Sequence, residues 1–207
     1  KNIFEPIAIY AYYPCISWDN KIYIFDKKYL FNSLEEAKNV PPLSEAIKVL
    51  EFPRQKRKPF RCIADFFAND RLDVIAFTLA SAGLKISDYE RSLYDKGEFT
   101  KYYQVHGLGV ELAEALAEVL HKQIRLDLDI VPKEGHTLND VQMKQYVGCR
   151  YSPGYAACPD LAMNRDIFDL LNPEEFGIEL SETFQMHPEQ TTCAIVVTHK
   201  EANYYNI

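Results

Sequence analysis

The densest chemistry in the chain lies at residues 148–160, which read Gly148-Cys149-Arg150-Tyr151-Ser152-Pro153-Gly154-Tyr155-Ala156-Ala157-Cys158-Pro159-Asp160. Arg150 offers a planar fork that matches a carboxylate or a phosphate. Tyr151 and Tyr155 offer flat faces for a base or a cation. Gly148 and Gly154 let the backbone approach a ligand closely, and Pro153 and Pro159 fix φ, so little entropy is lost on binding. Asp160 and the start of the following helix add free amides. An amino acid joined to a nucleoside would use all of these groups. A rigid loop whose Arg150 pairs with a surface carboxylate would use them as well, and composition alone leaves both readings standing.

Outside this segment the common hydrolytic and metal signatures are missing. The five histidines, His106, His121, His136, His187 and His199, have no Cys or His neighbour at zinc spacing. Gly107-Leu108-Gly109 stops short of a dinucleotide fingerprint, and there is no Gly-x-Ser-x-Gly or P-loop. No catalytic side chain and no metal ligand is therefore assigned. The five cysteines, Cys15, Cys62, Cys149, Cys158 and Cys193, are odd in number and widely spaced, without a Cys-x-x-Cys. They predict reduced thiols in a cytoplasmic protein, with Cys158 a small packing residue. A net charge of −7 argues against a wide nucleic-acid contact surface, though an acidic surface can still meet a basic partner. No apolar run approaches the roughly 20 residues of a membrane span. The start, Lys1-Asn2-Ile3-Phe4-Glu5-Pro6, lacks a signal-peptide stretch and an initiator Met. The expectation is a piece of a longer chain or a stand-alone version of one.

The elements that must position the loop follow from pattern. At 207 residues the chain suits one domain with a sizeable core. Residues 7–13 and 21–26 are rich in β-branched and aromatic side chains, and Asp19-Asn20 between them predicts a hairpin turn. Ser33 is placed to cap a helix with Glu35 and Glu36 in its first turn, which Pro41-Pro42 stops. A second short helix is expected over 44–52. Residues 53–58, Pro-Arg-Gln-Lys-Arg-Lys, read either as a solvated loop or as a dock for an acidic partner. Residues 60–68 read as a strand into a loop, with Asp65 among apolar neighbours, where an Asp is as often a turn or cap residue. The apolar run 72–80 predicts a central strand.

A long helix is expected over about 98–126, because Leu108, Leu112, Leu116 and Leu120 recur every four residues. Glu111, Glu114, Glu118 and Lys122 form its polar stripe, with Glu118 and Lys122 in the favourable order. Gly107 and Gly109, at about 1 kcal/mol each in a helix interior, mark either close packing or the true helix start. Short helices follow at 138–145 and at 161–171, the latter capped by Asp160 and ended by Asn172-Pro173. Strands are expected at 177–180, 183–186 and 192–198. Hairpin-like strands and one long helix predict an α+β fold, an antiparallel twisted sheet covered by helices.

Arg150-x-x-Pro-Gly-Tyr-x-x-Cys-Pro159 resembles the Arg-x-x-x-Gly-Tyr-x-x-Cys-Pro signature of the activation domain of cobalamin-dependent methionine synthase. Other segments resemble the same family in order over 60–207. They are Ala64-Asp65-Phe66, the helix from Leu112-Ala113-Glu114-Ala115 to Leu120-His121, Gly177-Ile178-x-Leu180-x-Glu182, and His199 through Tyr204-Tyr205. The hairpin region is similar too. The resemblance implies a single domain over 1–207 that binds S-adenosylmethionine. In it, Asp65 would hold the ligand's amino group and Arg150 its carboxylate. Ser152, Gly154 and Tyr155 would surround the adenosine, and Tyr204 and Tyr205 would flank the ligand; as an isolated pair near the terminus the two tyrosines would simply pack. Glu114 matches an acidic position of the family helix, whereas its spacing alone makes it part of a solvated stripe.

The family's reaction is reductive methylation, in a methyltransferase of methionine biosynthesis. Cobalamin oxidised to cob(II)alamin is restored to methylcobalamin by an electron, from flavodoxin or another reductant, and a methyl from S-adenosylmethionine. The sulfonium is already an activated donor, so the protein chiefly positions the reactants. Two departures matter. Ala156 stands where the family commonly has Pro, and no segment resembles the cobalamin-binding Asp-x-His-x-x-Gly motif. Cobalamin must come from another domain or another protein. The alternative is a free-standing S-adenosylmethionine-binding module that serves, or senses for, a separate corrinoid protein; the third reading is a structural domain with a vestigial site.

Overall fold

The computed structural model describes residues 3–130 and 146–207. The helix expected at 138–145 lies outside the described residues. The hairpin forms as β1 (Ile7–Trp18) and β2 (Lys21–Ile24), in antiparallel register from Cys15↔Ile24 to Trp18↔Lys21. Asp19 takes the left-handed conformation in the turn, φ 55°. Ile22 and Ile24 alternate inward and are fully buried.

Two expectations fail in the next stretch. The helix at 44–52 is a single 3₁₀ turn, Leu43–Glu45, followed by β3 (Lys48–Glu51), which pairs antiparallel with β2. Burial explains it: Leu50 and Phe52 are buried while Val49 and Glu51 are exposed, a period of two rather than 3.6. Pro53 also holds Phe52 away from helical backbone. The strand expected at 60–68 is instead a 3₁₀ turn, Ile63–Phe66, in which the Asp65 carboxylate accepts from the Cys62 amide at 3.0 Å. Ser33 does cap α1 (Leu34–Ala37), accepting from the Glu36 amide, but the helix lasts one turn and ends before the prolines.

The central strand is β4 (Asp73–Ser81). The unforeseen α2 (Leu84–Asp95) starts at Gly83, whose φ of 91° and closeness to the Glu5 carbonyl exclude a side chain. The long helix is α3 (Phe99–Asp127), 29 residues. Of the expected apolar stripe, Ala113, Ala117, Leu120 and Ile124 are buried, Leu112 and Leu116 are half-buried, and Leu108 is largely exposed; Gly109 joins the buried side. Gly109 marks close packing, since a Cβ there would lie 2.5 Å from Ile86, while Gly107 has nothing near it.

Beyond the undescribed residues come β5 (Cys149–Tyr151) and α4 (Met163–Leu171). The N-cap position of α4 is Ala162, two residues beyond Asp160. Asn172, at φ 50°, closes the helix by donating to the Phe168 carbonyl. Then follow β6 (Glu179–Leu180), β7 (Met186–His187) and β8 (Thr191–Val197). The strand expected at 183–186 starts only at Met186, because Phe184 (φ 61°) is in a turn closed by the Phe184 amide on the Ser181 carbonyl.

Six strands form one sheet in the order β3-β2-β1-β4-β8-β5, and β6-β7 form a separate ribbon. β5 is antiparallel to β8, and the bonds Glu5 N to Ala82 O and Ser17 N to Ala68 O run antiparallel beside β1 and β4. This is the expected α+β fold, an antiparallel sheet with helices including one long one.

The chain divides into two compact units: Lys1–Ala11, Phe77–Lys122 and Leu161–Ala194, and Tyr12–Ala76, Gln123–Asp160 and Ile195–Ile207. In the first, Ala80 packs with Leu116, Ala117 and Leu120. In the second, Ile16, Phe25, Ala37 and Leu72 form one cluster; Ala76, Ile124 and Val196 form another with Tyr12 and Leu128. Among the described residues no helix is long and apolar enough to cross a membrane, and no group of His, Cys, Asp and Glu could hold a metal ion. All five cysteines are buried, and none forms a disulfide.

Candidate binding site

Asp65 is the anchor, and its position is set locally. The 3₁₀ turn brings its carboxylate back onto the Cys62 amide. Arg54 then closes on it as a two-bond fork, Nη1 to Oδ2 at 2.6 Å and Nη2 to Oδ1 at 2.7 Å. Arg54 is held in turn by the Asn20 side chain (Nε to Oδ1, 2.9 Å) and by the Phe60 carbonyl (Nη1 to O, 2.8 Å). Phe60 sits at φ 61°, a conformation that costs a bulky residue about 1–3 kcal/mol. The pair is partly exposed, 34% for Arg54 and 43% for Asp65, so it adds at most about 1 kcal/mol to stability. It borders a cavity of about 560 Å³ whose walls include Trp18, Asp19 and Asn69.

An aromatic cluster joins this anchor to the ligand loop and the C-terminal segment. Tyr151 stacks on Phe66, centroids 6.5 Å apart, and meets Tyr204 at 6.0 Å and Tyr205 at 6.2 Å. Phe66 also packs on His199 at 5.7 Å. The Tyr151 hydroxyl donates to the Asn203 carbonyl, Arg61 donates to the Asn203 side chain, and Gln55 to the Asn206 carbonyl, each at 2.7 Å. Three segments far apart in sequence thus meet in the second unit. Burial, then the neighbouring Cys62 and Asp65, pushes the Tyr205 phenol up. Its Oη is buried without a hydrogen-bond partner among the described residues. Tyr151 is pushed up likewise, first by burial and then by Cys149.

The loop itself is tighter than an irregular segment. Gly154 donates to the Cys158 carbonyl at 2.8 Å and Cys158 to that of Tyr155 at 2.9 Å, with Gly154 at φ 89°. The turn therefore closes with Ala156 in place of Pro. Cys158 is buried, and burial first, with Asp160 second, pushes its thiol up to about 12. It stays protonated and is a poor nucleophile. Tyr155 and Gly154 are exposed, and Ser152 is half-buried.

Arg150 lies within β5 rather than in the loop, paired with Val196. Cross-strand partners share a face, and Val196 packs on Ile124. Alternation puts Tyr151 on the other face. Arg150 and Tyr151 therefore address opposite sides of an edge strand. Tyr204 and Tyr205 both meet Tyr151. Glu114 stands exposed on α3, in the other unit. Arg54, Phe66 and His199 were missed as site residues. Arg54 was masked by its neighbours Lys56, Arg57 and Lys58, which are exposed as a solvated loop would have them.

The chain is similar to known proteins. The family described as vitamin B12 dependent methionine synthase, activation domain, matches residues 1–207. Methionine synthase of Mycobacterium tuberculosis is 37% identical over 213 residues, covering 97% of this chain and 17% of the relative. That of Mycobacterium leprae is 37% identical with the same coverage. The chain thus spans about a sixth of the length of these relatives. The crystal structure of the MetH reactivation domain bound to AdoHcy superposes with a TM-score of 0.86 at 24% identity, over 99% of this chain and 62% of that one. The whole-chain match and the shared fold together assign the chain to the activation-domain family of vitamin B12-dependent methionine synthase.

Proposed function

We propose that residues 1–207 act as one S-adenosylmethionine-binding activation domain, which supplies the methyl group for reductive methylation of cob(II)alamin in a cobalamin-dependent methionine synthase. The observation that carries this reading is the meeting of Asp65, the loop after Tyr151 and the Tyr204-Tyr205 segment around one aromatic cluster. The AdoHcy bound to the similar reactivation domain is the demethylated form of that donor and supports it.

Asp65 holds the amino group; Arg150, which faces away from Tyr151 on the edge strand, is assigned a carboxylate oxygen by family likeness alone. Ser152, Gly154 and Tyr155 line the adenosine, and Tyr204 and Tyr205 flank it. The buried Tyr205 hydroxyl gains the partner it lacks. Glu114 is assigned an outer acidic contact by family likeness alone. No residue acts as an acid or base: the domain orients an activated sulfonium, and the protonated Cys158 does not compete for its methyl group. Cobalamin is held by another domain or protein, which is the partner this domain meets. The electron comes from flavodoxin or another reductant, with the exposed Lys56, Arg57 and Lys58 as its dock. Five buried cysteines outside any disulfide fit a reducing, cytoplasmic setting.

Titration calorimetry with S-adenosylmethionine tests the reading. Saturable heat is expected from the wild type and a weaker isotherm from Arg150→Ala. The absence of heat from the wild type would overturn it.

A further inference from the structure

The Arg54–Asp65 pair offers more than a carboxylate. Asp65 has room for about four hydrogen bonds. Three are taken, by Arg54 Nη1 and the Cys62 amide on Oδ2 and by Arg54 Nη2 on Oδ1. Arg54 has five N–H groups. Four are engaged: Nε by Asn20, Nη1 by Phe60 and Asp65, and Nη2 by Asp65. Among the described residues this leaves one acceptor position on Oδ1 and one donor on Nη2.

Those two atoms face each other at 2.7 Å. In a two-bond fork the bonds run parallel, so the remaining Nη2–H and the remaining Oδ1 lone pair lie on the same edge of the pair. The Phe60 carbonyl occupies the opposite edge, at Nη1. A donor beside an acceptor is the complement of an α-amino acid head group, whose ammonium donates and whose carboxylate accepts.

We propose that Arg54 and Asp65 together form a receptor for the zwitterionic amino-acid head of the ligand, with the ammonium on Asp65 Oδ1 and one carboxylate oxygen on Arg54 Nη2. This rests on the binding reading above and adds Arg54 to it as a specificity-determining residue. The charge logic is selective. A ligand with an ammonium and no carboxylate meets the Arg54 guanidinium as a like charge, and one with a carboxylate and no ammonium meets Asp65. Only a head carrying both adds no net charge to a neutral pair. Asn20 and the strained Phe60 then serve to hold the guanidinium in plane.

Calorimetry with S-adenosylmethionine and with its decarboxylated analogue, on wild type, Arg54→Gln and Arg54→Lys, tests this. The wild type is expected to prefer the intact ligand by about tenfold or more. Arg54→Gln should weaken S-adenosylmethionine while leaving the decarboxylated ligand equal or tighter, because the competing cation is gone. A merely structural defect would weaken both ligands alike. Arg54→Lys keeps the charge without the fork, and should retain part of the preference even if the Gln variant folds poorly. Wild-type discrimination persisting in Arg54→Gln, or an equal loss for both ligands in both variants, overturns the assignment of Arg54. No heat from the wild type with either ligand overturns the binding reading itself, and this inference with it.

Discussion

Two carboxylates, one in each compact unit, show how the same group can be given to structure or left for a ligand. Glu90 on α2 is buried, and Gln190 Nε2 donates to both of its oxygens, at 2.8 and 2.7 Å. His106 adds a 3.5 Å contact and is itself stacked against Tyr102. Asp65 is partly exposed, is met by a full positive charge, and keeps one edge open. Glu90 ties α2 to the segment before β8 through the neutral Gln190 amide, and burial raises its pKa. Asp65 ties together little that the turn and Arg54 do not already hold. Burial with a neutral amide donor marks the structural carboxylate, and exposure beside an unfinished ion pair marks the binding one, although a cavity of about 610 Å³ also lies beside Glu90.

The comparison breaks if the two sites respond alike. Asp65→Asn is expected to weaken S-adenosylmethionine by about 100-fold, since it removes a charge-assisted bond to the ammonium, with little change in melting temperature. Calorimetry and a thermal melt on one sample check both halves. Glu90→Ala should do the reverse. It strands the buried Gln190 amide, which costs about 1–3 kcal/mol in urea unfolding, while ligand affinity stays within about twofold.

The two glycines of α3 sharpen the point at smaller scale. Gly109→Ala pushes a methyl into Ile86 and Gln190 and is expected to cost about 1 kcal/mol, whereas Gly107→Ala meets open space and should gain about 0.5–1 kcal/mol. Denaturation midpoints of the two variants should move in opposite directions. The smallest effect is in pH. Because burial raises the Glu90 pKa in the fold, the folded chain binds that proton more tightly than the unfolded chain. The stability this brings is complete below the ordinary value of 4.5 and is lost as pH rises through the raised one. Glu90→Gln should flatten that slope in urea midpoints measured from acid to neutral pH. An unchanged slope would remove Glu90 as its source.

Legibility in the sequence followed how local each signal was. The span of α3 could be read within a residue, because a helical period sustained over 29 residues outweighs single interruptions. Its apolar face was legible at Leu120, but Leu108 is exposed and Gly109 buried, because at that end the helix packs too close to Ile86 for a side chain. β3 was mistaken for a helix because Ser44-Glu45 imitates a cap, and α2 was passed over because a buried Glu interrupts its apolar stripe. Arg54 had no local signal at all: its meaning lies in a partner eleven residues away across two turns. Asp65 stood out only through its resemblance to a family motif, and Arg150 looked like a loop residue because three residues of strand leave too short a pattern to read.

Trp18, the only tryptophan in the chain, stands 64% exposed on the wall of the cavity beside Arg54 and Asp65. Its indole is already wet in the folded protein, so its emission will shift little on unfolding and makes a weak gauge of stability. The same placement makes it an intrinsic optical reporter of the second unit's surface. Whatever settles near the Arg54–Asp65 edge changes the surroundings of a single fluorophore, with no label and no background from other indoles.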